Sequence, residues 1–389
     1  MSCDRLLLST GLNCKKLTAK GLKVTLADGT ESNDRMHSKA DGAGVVPHPS
    51  DGGWYYVSNA EVGSGNGGVG ALRFDASGDL IGYERVLTGT SRNCGGGVTW
   101  WNTWVTCEEN GSSGQCYEVD PHTGYSSVTN IAPVGGNYES VAFDNQDPEA
   151  TRFFLTEDTS RGPLVRYTPH ANAYKTGNNY DILKTSGGDH DYLVMNDDGT
   201  FRWSTSMSDG ENAASRFPNA EGIDVRNRIL NFISKVTKTL FTLDLEAMTW
   251  TETSTLSGAF NMEPDQIGRV AGDAEALYFC EEGNSGADIH GRDTTGNFFT
   301  VVKNNGIADE NTGLAFSPDG KFMYVAYQGN SSVFLLERGR APLRRHCCRH
   351  QVSLEGVPGS SFGRDLFEGT GNLLRQPVGL SVLTACSCT

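Results

Sequence analysis

Pairs of consecutive acidic residues follow short apolar segments in this chain, and one of these segments is preceded by a cysteine on a glycine run. The cysteine is Cys94, in the sequence Asn93-Cys94-Gly95-Gly96-Gly97. The pairs are Glu108 with Glu109, Glu157 with Asp158, and Glu281 with Glu282. Carboxylate oxygens suit hard cations such as Ca²⁺, and a thiolate beside carboxylates suits a transition metal, for which iron is the first candidate. These residue types predict a metal site, provided that the fold brings the segments together.

A second set of acidic residues lies at the starts of predicted strands. It comprises Glu139, Glu221, Asp224, Asp265 and Glu310, and Glu61 adds a carboxylate at an earlier strand end. In an antiparallel hairpin, the start of the first strand and the end of the second lie at the same end of the sheet. Their charges would repel one another by several kcal/mol without a cation, and few lysines or arginines are near. Solvated turns also carry acidic residues, but the recurrence at matched positions favours bound metal ions.

Six units, each built from two strands joined by a turn, carry these residues. In each unit an apolar strand leads to a second strand that ends at a polar residue. The predicted second strands are 54–61, 103–109, 152–158, 229–234, 276–282 and 322–328. Their equivalent ends, Glu61, Glu108, Glu157, Ser234, Glu281 and Gln328, are separated by 47, 49, 77, 47 and 47 residues. Strand-containing units of this length are typical of a β-propeller.

We therefore predict an all-β protein whose residues 42–340 form a six-bladed β-propeller. The 77-residue spacing indicates an insertion of about 30 residues between blades 3 and 4, as a long loop or an extra hairpin. Residues 1–41 form an N-terminal segment, in which a strand at 22–26 is expected to close the ring by joining the last blade. Residues 341–389 lose the strand pattern, and we expect them to form an irregular, disordered tail.

Composition narrows the range of functions. A formal charge of −15 opposes binding to nucleic acid or to an anionic membrane. No apolar run reaches the roughly 18 residues of a membrane span, and Leu6–Leu8 is too short for a signal-peptide core. The 48 glycines are typical of a turn-rich β protein. Among the 10 cysteines, Cys107 and Cys116 flank a short turn and would form a disulfide in an oxidising compartment.

Several segments together resemble the PhoX family of alkaline phosphatases. The most specific are the cysteine block 93–97 and the double-glutamate block 104–109. The others are 138–143, 155–158, 279–284 and 310–321, so that the resemblance covers about residues 42–337. It implies a six-bladed propeller that holds iron and calcium at the mouth of its channel and hydrolyses phosphate monoesters. It also implies an extracellular or periplasmic protein, although no signal peptide is visible.

The resemblance further implies roles for individual residues. Cys94, Glu139 and Glu310 would be catalytic, as ligands of an iron pair. With the other carboxylates at the strand ends, the predicted ligand set for Fe³⁺ and Ca²⁺ is Cys94, Glu108, Glu109, Glu139, Glu157, Asp158, Glu221, Glu281 and Glu310. The metals would bind the oxygens of a small-molecule phosphate ester and stabilise charge in the transition state. We expect the protein to act as a monomer.

The chain departs from the family pattern at three places. Tyr138 stands where bacterial members have histidine, and the fourth unit ends at Ser234–Lys235, where a carboxylate is expected. No arginine lies beside Glu310 to contact a phosphate, and Arg92 and Arg292 are the candidate substitutes.

Two other functions stay open. One is a calcium-dependent lactonase or esterase of the gluconolactonase type, and the other is a non-catalytic propeller in which calcium is structural. Cys94 distinguishes the phosphatase from the lactonase, because lactonase chemistry has no use for a thiolate. The missing carboxylate at Ser234 favours the non-catalytic propeller.

Overall fold

The computed structural model describes residues 3, 5–133, 135–146, 150–170, 180–184, 187–270, 276–283 and 286–338. The predicted tail, 341–389, lies outside these residues. Strands dominate the described part, whose α-helices are α1 (Tyr180–Lys184) and α2 (Met207–Ala213). Neither of these helices is long and apolar enough to cross a membrane.

Four short strands precede the first blade, and each of the first two blades has four strands. The preceding strands are β1 (Leu6–Leu8), β2 (Leu12–Thr18), β3 (Lys23–Thr25) and β4 (Glu31–Arg35). Blade 1 contains β5 (Ala40–Pro47), β6 (Trp54–Ala60), β7 (Gly68–Phe74) and β8 (Leu80–Thr88). Blade 2 contains β9 (Asn93–Val98), β10 (Trp104–Glu108), β11 (Cys116–Val119) and β12 (Ser126–Val128). Strands that follow one another in sequence pair antiparallel, so each blade is a β-meander.

Blade 3 is larger than the others because it contains the predicted insertion. Its strands are β13 (Tyr138–Asp144), β14 (Arg152–Glu157), β15 (Val165–Pro169), β16 (Gly188–Met195) and β17 (Phe201–Ser204). The inserted residues thus add a fifth strand, and α2 follows it. Blade 4 contains β18 (Ala220–Arg226), β19 (Ile229–Ser234), β20 (Thr239–Asp244) and β21 (Thr249–Ser254).

The last two blades each take a strand from the N-terminal segment. Blade 5 contains β22 (Glu263–Gly268), β23 (Leu277–Glu282), β24 (Ile289–Arg292) and β25 (Phe298–Asn304), and β1 pairs with β25. Blade 6 contains β26 (Asn311–Phe316), β27 (Phe322–Tyr327) and β28 (Ser332–Arg338), and β2 pairs with β28. The two ends of the propeller are therefore joined by strand pairing in two neighbouring blades.

The strand expected at 22–26 does not close the ring. It corresponds to β3, which pairs with β4 in a separate two-stranded sheet, and β2 closes blade 6 in its place. The sequence signal favoured the wrong segment because 22–26 alternates apolar and polar residues. The closing strand β2 instead contains Lys15 and Lys16 and is only partly buried, as expected of an edge position.

The first strands of successive blades contact each other around a closed circuit. In order these strands are β5, β9, β13, β18, β22 and β26, and β26 returns to β5. They therefore line a central channel, and the six-bladed propeller predicted from the spacing is confirmed. The predicted second strands also agree with β6, β10, β14, β19, β23 and β27 to within one residue at each end.

Apolar side chains fill the space between the blades. Trp104 is 2% exposed and packs with Val57 and Val69 of blade 1, where burial removes a large apolar surface from water. Cys107 and Cys116 lie opposite each other in β10 and β11 as buried free thiols, not as the disulfide considered above. The N-terminal segment contains a disulfide between residues 3 and 14.

Candidate metal centre

The first strand of every blade contains a β-bulge, where it has one extra residue relative to the second strand. At each bulge, two residues of the first strand have no partner in the second strand. In blades 1 to 5, the first of these two residues has a carboxylate or a thiol. These five residues, here called the inner ring, are Asp41, Cys94, Glu139, Glu221 and Asp265. Blade 6 has Gly313 at this position. The inner ring lies where the first strands begin, at the end of the channel that we call the mouth.

Glu139 belongs to two groups of closely spaced ligand atoms. One group contains Cys94, Glu109 and Glu139, and the other contains Glu139, Glu221 and Asp265. Within each group the ligand atoms lie within 4.8 Å of one another. Glu139 is 1% exposed, and neither of its carboxylate oxygens has a hydrogen-bond partner among the described residues. A buried carboxylate without a partner is unfavourable, so its surroundings suit a cation.

The strand that carries the thiol is held close to Glu139. A Cβ atom on Gly95 would lie 2.6 Å from Glu139 Oε1, so glycine is required there to leave room for the carboxylate. The fully buried Asn59 donates from Nδ2 to the carbonyl oxygens of Cys94, at 2.7 Å, and of Gly95, at 2.6 Å. These contacts fix the position of Cys94 before any ligand binds.

Asp41 is an inner-ring residue that the sequence analysis missed. Its carboxylate accepts hydrogen bonds from Gln328 Nε2 at 2.8 Å and Gln266 Nε2 at 3.3 Å, and Cys94 Sγ lies 3.5 Å away. Burial and the charge of Glu61 raise the pKa of Asp41 to about 6. The signal that could have found it is the acidic or thiol residue directly before glycine, which Asp41 shares with Cys94.

Lys235 lies where the register gives blades 1, 2, 3 and 5 a carboxylate, from Glu61, Glu109, Asp158 and Glu282. Its Nζ atom is 2.7 Å from Asp158 Oδ2, 2.8 Å from Glu221 Oε1 and 3.0 Å from Glu282 Oε2. These carboxylates come from blades 3, 4 and 5, so the ammonium group joins three blades. Burial acts to lower the pKa of Lys235, but the three carboxylates raise it above its usual value. The side chain is therefore a permanent cation.

The two members of each consecutive acidic pair have different roles, because successive residues of a strand point to opposite sides. Glu108 accepts a hydrogen bond from the backbone N–H of Ser91 at 2.7 Å, and Glu157 accepts one from that of Asn137 at 3.4 Å. Both carboxylates thus bind the loop before the first strand of their own blade. In the described part of the chain, neither belongs to the two groups around Glu139. Of the predicted ligands that the structure describes, Cys94, Glu109, Glu139 and Glu221 belong to those two groups, and Glu108, Glu157, Asp158, Glu281 and Glu310 do not.

Glu281 is the corresponding residue of blade 5 and is fully buried. Its carboxylate accepts the backbone N–H groups of Asn261 and Met262 at 2.8 Å and that of Asp288 at 2.9 Å, and it lies 3.2 Å from His290 Nε2. Burial acts to raise its pKa, but His290 and the backbone donors lower it overall. With Asp288 and His290 it forms a third group of ligand atoms, and the existing donors satisfy its oxygens. Its geometry indicates a structural role.

We expect Glu281→Gln to lower stability by about 2–4 kcal/mol without removing metal from the mouth. The amide has one acceptor oxygen, and its NH₂ group would face backbone donors, so buried N–H groups lose their partner. Urea denaturation measures the loss, and elemental analysis of the folded variant measures its metal content. A variant as stable as the wild type would contradict the structural role, and loss of bound metal would assign Glu281 to the metal centre.

Glu310 and the two candidate arginines differ in their distance from the mouth. Glu310 directly precedes β26, at the end where that strand begins, and its carbonyl oxygen accepts a hydrogen bond from the Gln328 N–H at 3.3 Å. Burial and the charges of Asp41 and Glu282 raise the pKa of its carboxyl to about 8. Arg92 is exposed, and its carbonyl oxygen accepts a hydrogen bond from the Glu109 N–H at 2.9 Å. Arg292 instead pairs with the first residue of β23, at the opposite end of that strand from the mouth. Of the two arginines, only Arg92 has its backbone beside a residue of the ligand groups.

Burial and mutual repulsion raise the pKa values of the groups at the mouth. Burial and the charge of Asp158 raise the pKa of Glu109 to about 8. Burial, with the charges of Glu221 and Glu109, raises the pKa of Glu139 well above its usual range. Burial and the surrounding carboxylates do the same to the Cys94 thiol. A cation would reverse these shifts, because it favours the ionised form of its ligands.

The two groups around Glu139 suit different metals. Cys94, Glu109 and Glu139 combine a thiolate with carboxylates, and such a mixed donor set suits iron. Glu139, Glu221 and Asp265 offer oxygen atoms alone, which suits Ca²⁺. The buried carboxylate of Glu139 fits both, since it lies in both groups.

The fold and the site define a six-bladed β-propeller with groups at its channel mouth that could hold a metal ion. The structure is similar to that of PhoX from Pseudomonas fluorescens in complex with vanadate, a transition state analogue. The TM-score is 0.68 and the identity 15%, over 86% of this chain and 96% of that chain. At this identity the likeness shows the fold alone.

Two further propellers are less similar. A gluconolactonase from Xanthomonas campestris has a TM-score of 0.45 and 10% identity, over 80% of this chain and 91% of that chain. The PQQ domain of pyranose dehydrogenase from Coprinopsis cinerea has a TM-score of 0.47 and 11% identity, over 86% of this chain and 97% of that chain. No family model and no curated protein sequence matches the chain.

Proposed function

We propose that this protein is a metal-dependent phosphomonoester hydrolase of the PhoX type, which binds iron and calcium at the channel mouth. The observation that carries the proposal is the buried carboxylate of Glu139, which has no hydrogen-bond partner within the part of the chain that the structure describes. It belongs both to the group with a thiol and to the group of carboxylates. The fold shared with PhoX and the cysteine and double-glutamate blocks of the sequence support it. We infer an extracellular or periplasmic protein from the same resemblance.

Each of the two groups would bind a different metal. Cys94, Glu109 and Glu139 would hold iron, and Glu139, Glu221 and Asp265 would hold calcium. The bound ions would supply the positive charge that stabilises a phosphoryl group in its transition state. In the chain itself, Asn59 holds the Cys94 backbone in place, so the thiol is positioned before the metal arrives.

Substrate binding needs a cationic side chain that is free to turn toward the phosphate. Lys235 is already surrounded by three carboxylates, whereas the Arg92 side chain is exposed and starts beside Glu109. A guanidinium group can donate two parallel hydrogen bonds to phosphate oxygens. We therefore assign Arg92 to the binding of a small-molecule phosphate ester.

The proposal is tested by elemental analysis of the purified protein together with hydrolysis of p-nitrophenyl phosphate before and after chelation. We expect iron and calcium in the protein, activity before chelation, loss of activity after it, and recovery when the metals are returned. A folded protein that contains calcium without iron and cleaves no phosphate ester would show that the proposed function is wrong.

Cys94→Ala is expected to remove iron and activity and to leave the propeller folded. The thiol is the soft ligand of its group, and its loss leaves carboxylates alone to bind the metal. Elemental analysis, hydrolysis of p-nitrophenyl phosphate and circular dichroism measure the three properties. Cys107→Ala is the matched control, because that thiol is buried within blade 2, and it should keep its iron. Retention of iron by Cys94→Ala would exclude the thiol as a ligand.

A calcium-dependent lactonase or esterase is the second candidate, because Glu139, Glu221 and Asp265 form a group with oxygen ligands alone. Such an enzyme would need calcium but no iron. Hydrolysis of a lactone by protein that contains calcium alone, with no cleavage of p-nitrophenyl phosphate, would favour this candidate over the phosphatase.

A further inference from the structure

Lys235 lies at a position where other blades have an acidic residue, but its side chain carries a positive charge. It directly follows the last residue of the second strand of its blade, as Glu61, Glu109 and Asp158 do in blades 1, 2 and 3. In blade 5 the register makes Glu282, the last residue of β23, equivalent to it. Its longer side chain places Nζ within 3.0 Å of three carboxylates, from Asp158, Glu221 and Glu282. Carboxylate oxygens are also the ligands with which proteins bind calcium, together with carbonyl groups and water.

Further contacts hold this arrangement in place. Asn219 Nδ2 donates to Asp158 Oδ1 at 2.6 Å, which leaves the other oxygen of Asp158 for the ammonium group. The backbone N–H of Lys235 in turn donates to the carbonyl oxygen of Asn219 at 3.1 Å. Lys235 and Asp158 are therefore both tied to Asn219, which holds the ammonium group in place at the mouth.

We propose that Lys235 replaces one divalent cation at the mouth, so that the protein itself supplies positive charge to the carboxylates of Asp158, Glu221 and Glu282. The ammonium group fills the space between Asp158, Glu221 and Glu282, and it carries one charge where Ca²⁺ would carry two. The metal ions are confined to the ligand groups around Glu139. This inference rests on the proposed metal centre, but it does not depend on phosphatase activity.

The proposal predicts that removal of the ammonium group creates a calcium site. Protein cleared of metal by chelation is returned to calcium alone, and bound calcium is counted by elemental analysis after gel filtration. We expect Lys235→Ala to hold one more Ca²⁺ per chain than the wild type. We also expect calcium to raise the melting temperature of this variant more than that of the wild type, because an added ligand stabilises the folded state.

Three further variants test whether the additional Ca²⁺ binds at the position of the ammonium group. Lys39→Ala is the matched control, because Lys39 pairs with Glu61 at 3.2 Å at the exposed rim, and it should gain no calcium. Lys235→Arg keeps the positive charge and should also gain none. The double variant Lys235→Ala with Glu282→Gln removes one of the three carboxylates and should lose the extra ion.

The outcomes separate this proposal from the proposed function. A Lys235→Ala chain that folds only when calcium is present would support the replacement. A chain that folds but binds no more calcium than the wild type would overturn it, as would a chain that stays unfolded in calcium. A wild-type protein that binds neither iron nor calcium would instead refute the proposed metal centre, whatever the variant does.

Discussion

Glu139→Gln is expected to lower metal affinity and phosphomonoesterase activity by more than about a hundredfold and to leave the propeller folded. Loss of a residue that only orients a metal ligand already costs about 10–100-fold in affinity, and Glu139 itself lies in both ligand groups. Glutamine has nearly the shape of a protonated glutamic acid, so the metal-free fold should tolerate it. Calcium and iron contents, hydrolysis of p-nitrophenyl phosphate and the melting temperature of metal-free protein measure these effects.

Glu157→Gln is the matched control for this substitution. Glu157 is also acidic and lies in the same blade, but its carboxylate binds the backbone N–H of Asn137. This variant should keep its metal and its activity. If Glu139→Gln kept both metals, or if Glu157→Gln lost them equally, the assignment of the metal ligands from the structure would be wrong.

The second large effect is a loss of stability of the metal-free protein as the pH rises. The pKa of Glu109 lies near 8 in the folded protein, against 4.5 for an unperturbed glutamic acid. Between these values the folded state binds more protons than the unfolded state, so the free energy of unfolding falls as the pH increases. Each pKa unit corresponds to about 1.4 kcal/mol, and Glu310 shifts in the same direction. We therefore expect a loss of several kcal/mol between about pH 5 and pH 8.

Metal should reverse this dependence. Calcium and iron bind the ionised carboxylates and release their protons, so their affinity rises with pH and their stabilising effect grows over the same range. Melting temperatures measured across this range, in chelator and in calcium, follow both trends. The slope in chelator should be smaller for Glu109→Gln. A metal-free protein whose melting temperature rises from pH 5 to pH 8 would contradict the raised pKa values.

The fold could be predicted from the sequence because the same signal occurs six times. Each second strand is an apolar segment that ends at a polar residue. The regular spacing identifies Ser234 as equivalent to Glu108, Glu157 and Glu281, and the register confirms this, whereas the register places Ala326 and not Gln328 at this position in blade 6. The strands that close the ring carry a weaker signal. The strand β2 contains two lysines and lies at the edge of a blade, so its sequence lacks the alternation by which half-buried strands are recognised.

The candidate site was predicted less completely, for two physical reasons. Both members of the first two acidic pairs were expected to be ligands, although strand alternation turns Glu108 and Glu157 to the loops and Glu109 toward Glu139. Asp41 was missed because Ala40-Asp41-Gly42 has the composition of a turn. The bulges that direct the inner ring toward the mouth depend on the register between strands, and a single sequence does not specify that register.

The contacts of Lys235 also depend on the assembled ring. The sequence shows a lysine where a carboxylate is expected, and the residue was therefore interpreted as a missing ligand. Only the packing of blades 3, 4 and 5 shows that its ammonium group meets Asp158, Glu221 and Glu282. At this position the chain therefore has a cation among carboxylates, where the sequence pattern predicts another carboxylate.

The pairing of β2 with β28 has a consequence for synthesis of the chain. β2 leaves the ribosome early, and its partner begins at Ser332. At a translation rate of about 5–20 residues per second, on the order of 15–65 s pass between the synthesis of β2 and that of its partner. During this time it is an unpaired strand that could join another nascent chain. Lys15 and Lys16 place charge on the waiting strand, and charge of this kind prevents edge-to-edge aggregation.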